Sequence, residues 1–431
     1  MPSKQQLKKR KKYLAQYAEP IVHTIAKVSK VFENVTLKNA LVIPAYQENA
    51  EFVSRISQSA LVEQQAAFVI VINQPEHDVD KLPQQTLFSA LLKLGELFTE
   101  QDDVYVIKLP NSQSFIFVVD GFTSPIPSDQ GVGLARKIGC DLVIALAEHE
   151  IFNGSVFGSS DADAYLSDNY FNALTTAYQK NNALSAVCFN FVHQFNQAKV
   201  PTALEQTTLA ATQQYESALR YYVDGLRYAG SRFNFFTIGS ILAISTSAYV
   251  DVRGFVKKSA GEDFYTLNKL AKVGDVAFLE DEHIVLTPRL STRVPFGTGP
   301  AVKDIIALNQ QNRPYSYYHY QCFSELKYAL TQLDELLKNI AQQPSKNTLI
   351  VLSDWQHRLS EICLQAFNDI GFSAFLEKQL KQYQGNDKQL KNQVNDWFDA
   401  FKTLKFIHAI RALAYPDIPL KDALSQAPFR Q

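Results

Sequence analysis

Cysteine is scarce in this chain of 431 residues, and no charge sign is in excess. The four cysteines, Cys140, Cys188, Cys322 and Cys363, stand far apart without a Cys-X-X-Cys pair, the pattern of reduced, buried thiols in a cytoplasmic protein. Forty-two basic residues balance 43 acidic ones for a net charge of -1, which leaves no global field to attract nucleic acid or an anionic membrane. No apolar run reaches the roughly 18 residues of a membrane span, and no apolar stretch follows the charged N-terminus as in a secretion signal. Neither a transmembrane segment nor export is expected. Glycine and proline, 17 each, and a hydrophobic content of 46% are ordinary for a folded globular protein. The length suggests two or three folded units.

What is present begins with Lys4, Lys8, Lys9, Arg10, Lys11 and Lys12, followed by Leu14, Tyr17, Ile21 and Ile25 at helical spacing. A basic amphipathic helix of this kind is suited to peripheral contact with a membrane surface. Pro20 interrupts the pattern, which favours a solvated turn leading into a helix packed on the protein. Beyond this segment, 1–37, near-continuous apolar runs at Ala40–Ile43, Ala67–Ile72 and Ser114–Val119 read as strands covered on both faces. Helical stretches such as Glu51–Glu63 and Gln84–Phe98 separate them, so residues 38–300 are expected to form an α/β domain with a mostly parallel sheet. From 301 to 431 apolar residues recur three and four apart, as in Phe323, Leu326, Leu330, Leu333, Leu337 and Ile340. About four helices are expected there, with breaks near Pro344, Gly385, Pro416 and Pro419.

In open α/β sheets ligands bind beyond the carboxyl ends of strands, so the residues following each apolar run are the informative ones. They are Pro44-Ala45-Tyr46-Gln47-Glu48, Asn73-Gln74-Pro75-Glu76, Asp120-Gly121 and Asp161-Ala162-Asp163. Read as the end of a strand, Asp161 and Asp163 point the same way and can share one hard cation. The same pattern also occurs in solvated turns, so the pair alone is weak evidence. Upstream, Gly131 to Gly139 sets glycines before Arg136 and Lys137 at a helix start suited to phosphate, or simply caps a surface helix. Downstream, Glu262 and Asp263 follow Gly261 at another helix entry, where an acid pair serves either as dipole compensation or as a general base. Arg289 and Arg293 lie in a turn-rich loop and either clamp a diphosphate or stay solvated. A lone histidine such as His193 or His283 is more often structural than a metal ligand.

Taken in order, these segments resemble the nucleotide-sugar-dependent glycosyltransferases of the GT-A type, family 2, over roughly residues 38–300. The carriers are Pro44 to Glu48, Gly133 to Gly139 with Arg136, Asp161-Ala162-Asp163 and Glu262-Asp263. The stretch around Tyr215 and Arg220-Tyr221-Tyr222, with Thr237 to Ser240, Gly261 to Tyr265 and Arg293 to Gly299, resembles a bacterial branch of that group. The resemblance implies a Rossmann-like GT-A domain followed by a helical region. It implies Mn²⁺ or Mg²⁺ at Asp163 with Asp161, donor contacts from Pro44, Ala45, Tyr46, Glu48, Arg136 and Asp161, and Asp263, then Glu262, as acceptor-side base. Arg289 and Arg293 are added as donor-binding candidates on charge alone. The donor would be a nucleotide sugar and the acceptor an unidentified hydroxyl.

Two departures stand out. Gln47 replaces an asparagine common in the first motif, and the second strand run ends in Asn73-Gln74-Pro75-Glu76 rather than an acidic cluster. They motivate a second reading, a non-catalytic binding or scaffold protein. A sugar-phosphate nucleotidyltransferase is a weaker alternative, because it needs a glycine-rich loop where Pro44 to Glu48 stands.

Overall fold

The computed structural model describes residues 3–49, 51–195, 201–290, 297–342 and 348–430. Two compact units divide the chain: Met1–Thr212 with Thr237–Ala301, and Gln213–Phe236 with Val302–Gln431. The division differs from a domain at 38–300 in two places: the N-terminal segment belongs to the first unit, and 213–236 groups with the C-terminal helices.

Among its described residues the first unit carries ten strands: β1 (Asn39–Ala45), β2 (Ala66–Pro75), β3 (Glu96–Gln101), β4 (Val104–Lys108), β5 (Phe115–Ile126), β6 (Val156–Ser159), β7 (Ala164–Tyr165), β8 (Leu184–His193), β9 (Leu242–Ser245) and β10 (Asp275–Leu286). They form one sheet in the order β3-β4-β5-β2-β1-β6-β9-β8-β10-β7. The sheet is mixed and largely parallel: β5, β2, β1 and β6 run together, as do β8 and β10, while β3, β4, β7 and β9 pair antiparallel. The fully buried run Ala66–Pro75 explains the unbroken apolar reading of β2, since both faces of a central parallel strand are covered.

Helices α1 (Lys4–Gln16), α2 (Val22–Val28), α3 (Glu51–Gln58), α4 (Leu82–Leu92), α5 (Gly131–Glu148), α6 (Tyr170–Lys180), α8 (Thr246–Asp251) and α9 (Glu262–Val273) belong to this unit, while α7 (Ala203–Tyr228) and α10 (Thr298–Gln310) begin in it and have most of their residues in the second. Pro20 falls between α1 and α2, as its missing donor requires. The expected helix Gln84–Phe98 ends early, at Leu92, and Phe98 lies on β3. There it packs edge-on to Phe115, a tertiary contact that local periodicity does not reveal.

Helix α5 is almost wholly buried. Gly139 faces Val42 and Val71, and a Cβ at that position would run into the Val42 side chain, so the glycine lets α5 lie close on β1 and β2. On its outer side, α5 receives the N-terminal helix. The Tyr13 hydroxyl donates to Asp141, which also accepts from Tyr249 at 2.8 Å and from Lys137 at 2.9 Å. No helix among the described residues is long and apolar enough to cross a membrane.

The second unit holds α11 (Gln321–Gln342), α12 (Thr348–Arg358), α13 (Glu361–Asp369), α14 (Phe372–Lys381), α15 (Asp387–Trp397), α16 (Ala400–Leu413) and α17 (Leu420–Gln426), more than the four expected. A small ribbon pairs β11 (Ser316–Tyr317) with β12 (Ile418–Pro419). The break expected near Gly385 falls before α15, capped by Asn386, and the extra breaks have local causes: Ser360 and Asp399 cap α13 and α16 through their side chains, and Gly371 adopts φ 79° before α14. Phe323, Leu326, Trp355, Phe367, Phe372 and Phe406 centre its core.

Candidate active site at the carboxyl ends of the strands

The carboxyl ends of β1, β2 and β6 gather most of the residues singled out from the sequence, all of them within the first unit. The Asp-X-Asp segment is not the end of a strand. β6 stops at Ser159, and Asp161–Asp163 form a turn closed by the Ala164 amide donating to the Asp161 carbonyl at 3.1 Å. Strand alternation therefore does not aim the two carboxylates. Each is held by its own arginine.

Asp161 is ion-paired with Arg136. Asp163 pairs with the Arg289 Nη2 at 2.8 Å, and the same guanidinium reaches Glu48 Oε1 at 3.2 Å. Thr287 holds the Asp163 carbonyl at 3.3 Å. A third arginine, Arg55 on α3, donates to the Ala162 carbonyl between the two aspartates and lies over the Tyr165 ring, 3.9 Å from its centroid. Sequence reading overlooked Arg55, because an arginine inside an amphipathic helix looks like any solvated cation.

Arg136 departs from its expected role. It is 2% exposed, and its fork is spent inside the protein. Nε donates to Glu262 Oε1 at 3.0 Å and Nη1 to the Ser159 hydroxyl at 2.8 Å and the Ser160 carbonyl at 3.3 Å. This arginine ties α5, the β6 end and α9 together instead of presenting itself to a phosphate. Glu262, 5% exposed, is the other half of that tie. Asp263 differs: its Oδ1 accepts the Phe264 amide at 2.7 Å, and burial, reinforced by Glu262, pushes its carboxyl up to about 8. Gly261, at φ 70°, makes the left-handed turn that starts α9 beside Arg136.

Burial also raises Asp163 to about 6, against the pull of Arg289 and with a further push from Asp161 and Glu48. Glu48 is raised by burial too, with Arg289 opposing. Asp163, Glu48 and Asp161 lie close enough to act on one another.

At the neighbouring strand end, the Tyr46 hydroxyl donates to Asp78 at 2.7 Å and the Gln47 amide to the same oxygen at 3.0 Å. Asp78 lies just past β2, and the Tyr46 hydrogen bond, the largest influence, holds its carboxyl below the usual range. It puts an acidic group near the end of β2, where the strand-end residues themselves showed only Glu76. Pro44 and Ala45 are the last two residues of β1, and both are buried. Asp120 is not part of it, because β5 continues to Ile126 and Asp120 caps a local turn at Phe122 and Thr123. His283 sits beside Asn190 across paired strands, at 3.0 Å. Arg293 lies outside the described residues.

A cavity of about 1100 Å³ opens elsewhere, at the amino-terminal edge of the sheet, lined by Lys38, Gln64, Gln65, Lys108 and Gln113 among others. It contains none of the residues above.

No family model and no curated protein sequence matches the chain at a significant level. Solved structures similar to it include S. aureus TarS 1–349 in complex with UDP-GlcNAc, at 11% identity over 84% of this chain and 91% of that one, with a TM-score of 0.38. S. aureus TarS is similar at 12% identity over 84% and 55%, TM-score 0.36. A mycobacterial protein is similar at 13% identity over 68% and 82%, TM-score 0.33. The chain has the expected fold class, an α/β unit with a mixed, largely parallel sheet and a C-terminal helical region.

Proposed function

We propose that this chain is a glycosyltransferase that moves a sugar from a nucleotide-sugar donor to an acceptor hydroxyl. The observation that carries the reading is the gathering of Glu48, Asp161 and Asp163 beside the raised carboxyl of Asp263, at the strand ends where α/β sheets bind ligands. The donor set fits a hard divalent cation such as Mn²⁺ or Mg²⁺: it is all oxygen, and such ions are held by one or two carboxylates with a substrate's phosphates completing the shell. Asp163 and Asp161 would hold it; no group of three metal-ligating side chains gathers among the described residues, so the diphosphate would complete the shell. When bound, the cation supplies Lewis-acid stabilisation to the departing diphosphate.

The remaining work falls to protein groups. Tyr46, just past β1, and Asp78, just past β2, are hydrogen-bonded to each other and would meet the nucleoside. Asp263 in its ionised form takes the proton of the acceptor hydroxyl as that oxygen bonds the anomeric carbon and the bond to the diphosphate oxygen breaks, in an inverting transfer. Glu262 does not compete for this role, being bound to Arg136.

The test is turnover of a panel of UDP and GDP sugars with Mn²⁺ and a range of acceptors, together with donor hydrolysis in their absence. Loss of turnover in Asp163→Ala by a hundredfold or more, on the order that removal of an electrostatic catalytic group produces, is expected. Unchanged turnover would remove the metal role. A second reading, a binding protein without catalysis, is favoured by the observation that Asp161, Asp163 and Glu262 are already neutralised by arginines. Nucleotide-sugar binding without turnover for any donor would select it.

A further inference from the structure

The three arginines at the Asp-X-Asp turn are not equally fixed. Arg136 is buried and bridges three elements, and Arg55 is tied to a backbone carbonyl and a ring face. Arg289 is different: its side chain is 36% exposed, it follows the end of β10, and its guanidinium spans Asp163 and Glu48 together. It thus occupies Asp163, one of the two carboxylates proposed above to hold a divalent cation.

We propose that Arg289 is a resident counter-cation: it neutralises Asp163 and Glu48 in the ligand-free protein and gives up both when a divalent cation and a diphosphate bind. The inference rests on the functional reading given above. Its physical basis is charge balance. Asp163 and Glu48 share this one arginine, and a guanidinium suits the role because its fork spans two carboxylates and exchanges them for phosphate without changing its own charge. Once released, Arg289 faces the diphosphate, so the protein admits the cation readily only together with the anion that occupies the freed arginine. Cation and diphosphate binding are thereby coupled, and by linkage each strengthens the other equally.

Calorimetry with MnCl₂ alone tests this on wild type and Arg289→Gln. The variant is expected to bind Mn²⁺ about tenfold more tightly, the order produced by removing one close like charge. Repeating the titrations with saturating UDP is expected to tighten Mn²⁺ binding strongly in wild type and much less in the variant. Circular dichroism checks folding. If Arg289→Gln does not fold, Arg289→Lys keeps the charge but loses the fork, and a smaller gain of a few-fold is expected. A folded variant that binds Mn²⁺ no more tightly than wild type overturns the proposal while leaving the glycosyltransferase reading intact. Absence of Mn²⁺ binding in both proteins, with and without UDP, overturns the metal role and the counter-cation together.

Discussion

Asp263 and Glu262 are adjacent in sequence, yet the fold gives them different surroundings. Glu262 is locked to Arg136, while Asp263 keeps a carboxyl raised to about 8 by burial and by its neighbour. A folded-state value above the unfolded one means that the protonated acid favours folding. That contribution is complete below about pH 4 and is lost as pH rises through about 8. Asp263→Asn is therefore expected to raise the melting temperature at pH 8 and to flatten the fall in stability between pH 4 and 8, measured by thermal denaturation across that range. The same substitution is expected to abolish transfer, and in wild type kcat/KM should rise with pH and level off above about 8. Arg136 gives the contrasting case. Arg136→Ala strands Asp161 and Glu262 and is expected to cost about 3–5 kcal/mol, because the loss of one partner leaves buried charge uncompensated. Urea denaturation measures it, and rescue by Arg136→Lys, which cannot reach the same acceptors with a fork, should be poor.

At the scale of elements, the position of α5 decides whether the site exists. Its glycine at 139 permits the close approach to β1 that carries Arg136 to the end of β6. Gly139→Val is expected to push α5 outward and destabilise the unit by about 1–3 kcal/mol, the usual cost of overpacking, with a larger proportional loss of transfer than of folded protein. Parallel measurement of melting temperature and turnover separates the two effects. The turn at Asp161–Asp163 makes the related point that a short, two-residue strand, β7, follows at Ala164 and pairs with β10, which brings Thr287 and Arg289 onto Asp163. The two aspartates stand in a turn beyond the strand end, so their relative placement does not come from strand alternation. Arg289 could be suspected only as a cation in a loop, since its partner Glu48 lies 241 positions away.

Across the whole molecule, the two units have separate cores and report on different things. Both tryptophans, Trp355 and Trp397, lie in the second unit, so intrinsic tryptophan fluorescence follows that unit. Trp355 is fully buried and its indole donates to the Gln332 carbonyl at 2.9 Å. Trp355→Ala is expected to cost about 3–5 kcal/mol, read from the urea midpoint of the remaining Trp397 fluorescence. The aromatic residues of 213–236 group with this unit, Tyr221 packing edge-on to Phe323, although they stand between strands of the sheet unit in sequence.

The sequence by itself determined the α/β alternation, the central strands, the helical C-terminal character and the set of strand-end residues worth watching. Burial on both faces writes unbroken apolar runs, and helices write a 3.6-residue period, so these features are local and legible. Only the tertiary structure decided which charges meet. It turned Arg136 from a phosphate ligand into an internal tie, gave Asp78 to Tyr46, placed Arg55 at Ala162 and set Arg289 between Glu48 and Asp163. Charge pairing depends on distances that the chain closes over tens to hundreds of residues, and no local pattern records them.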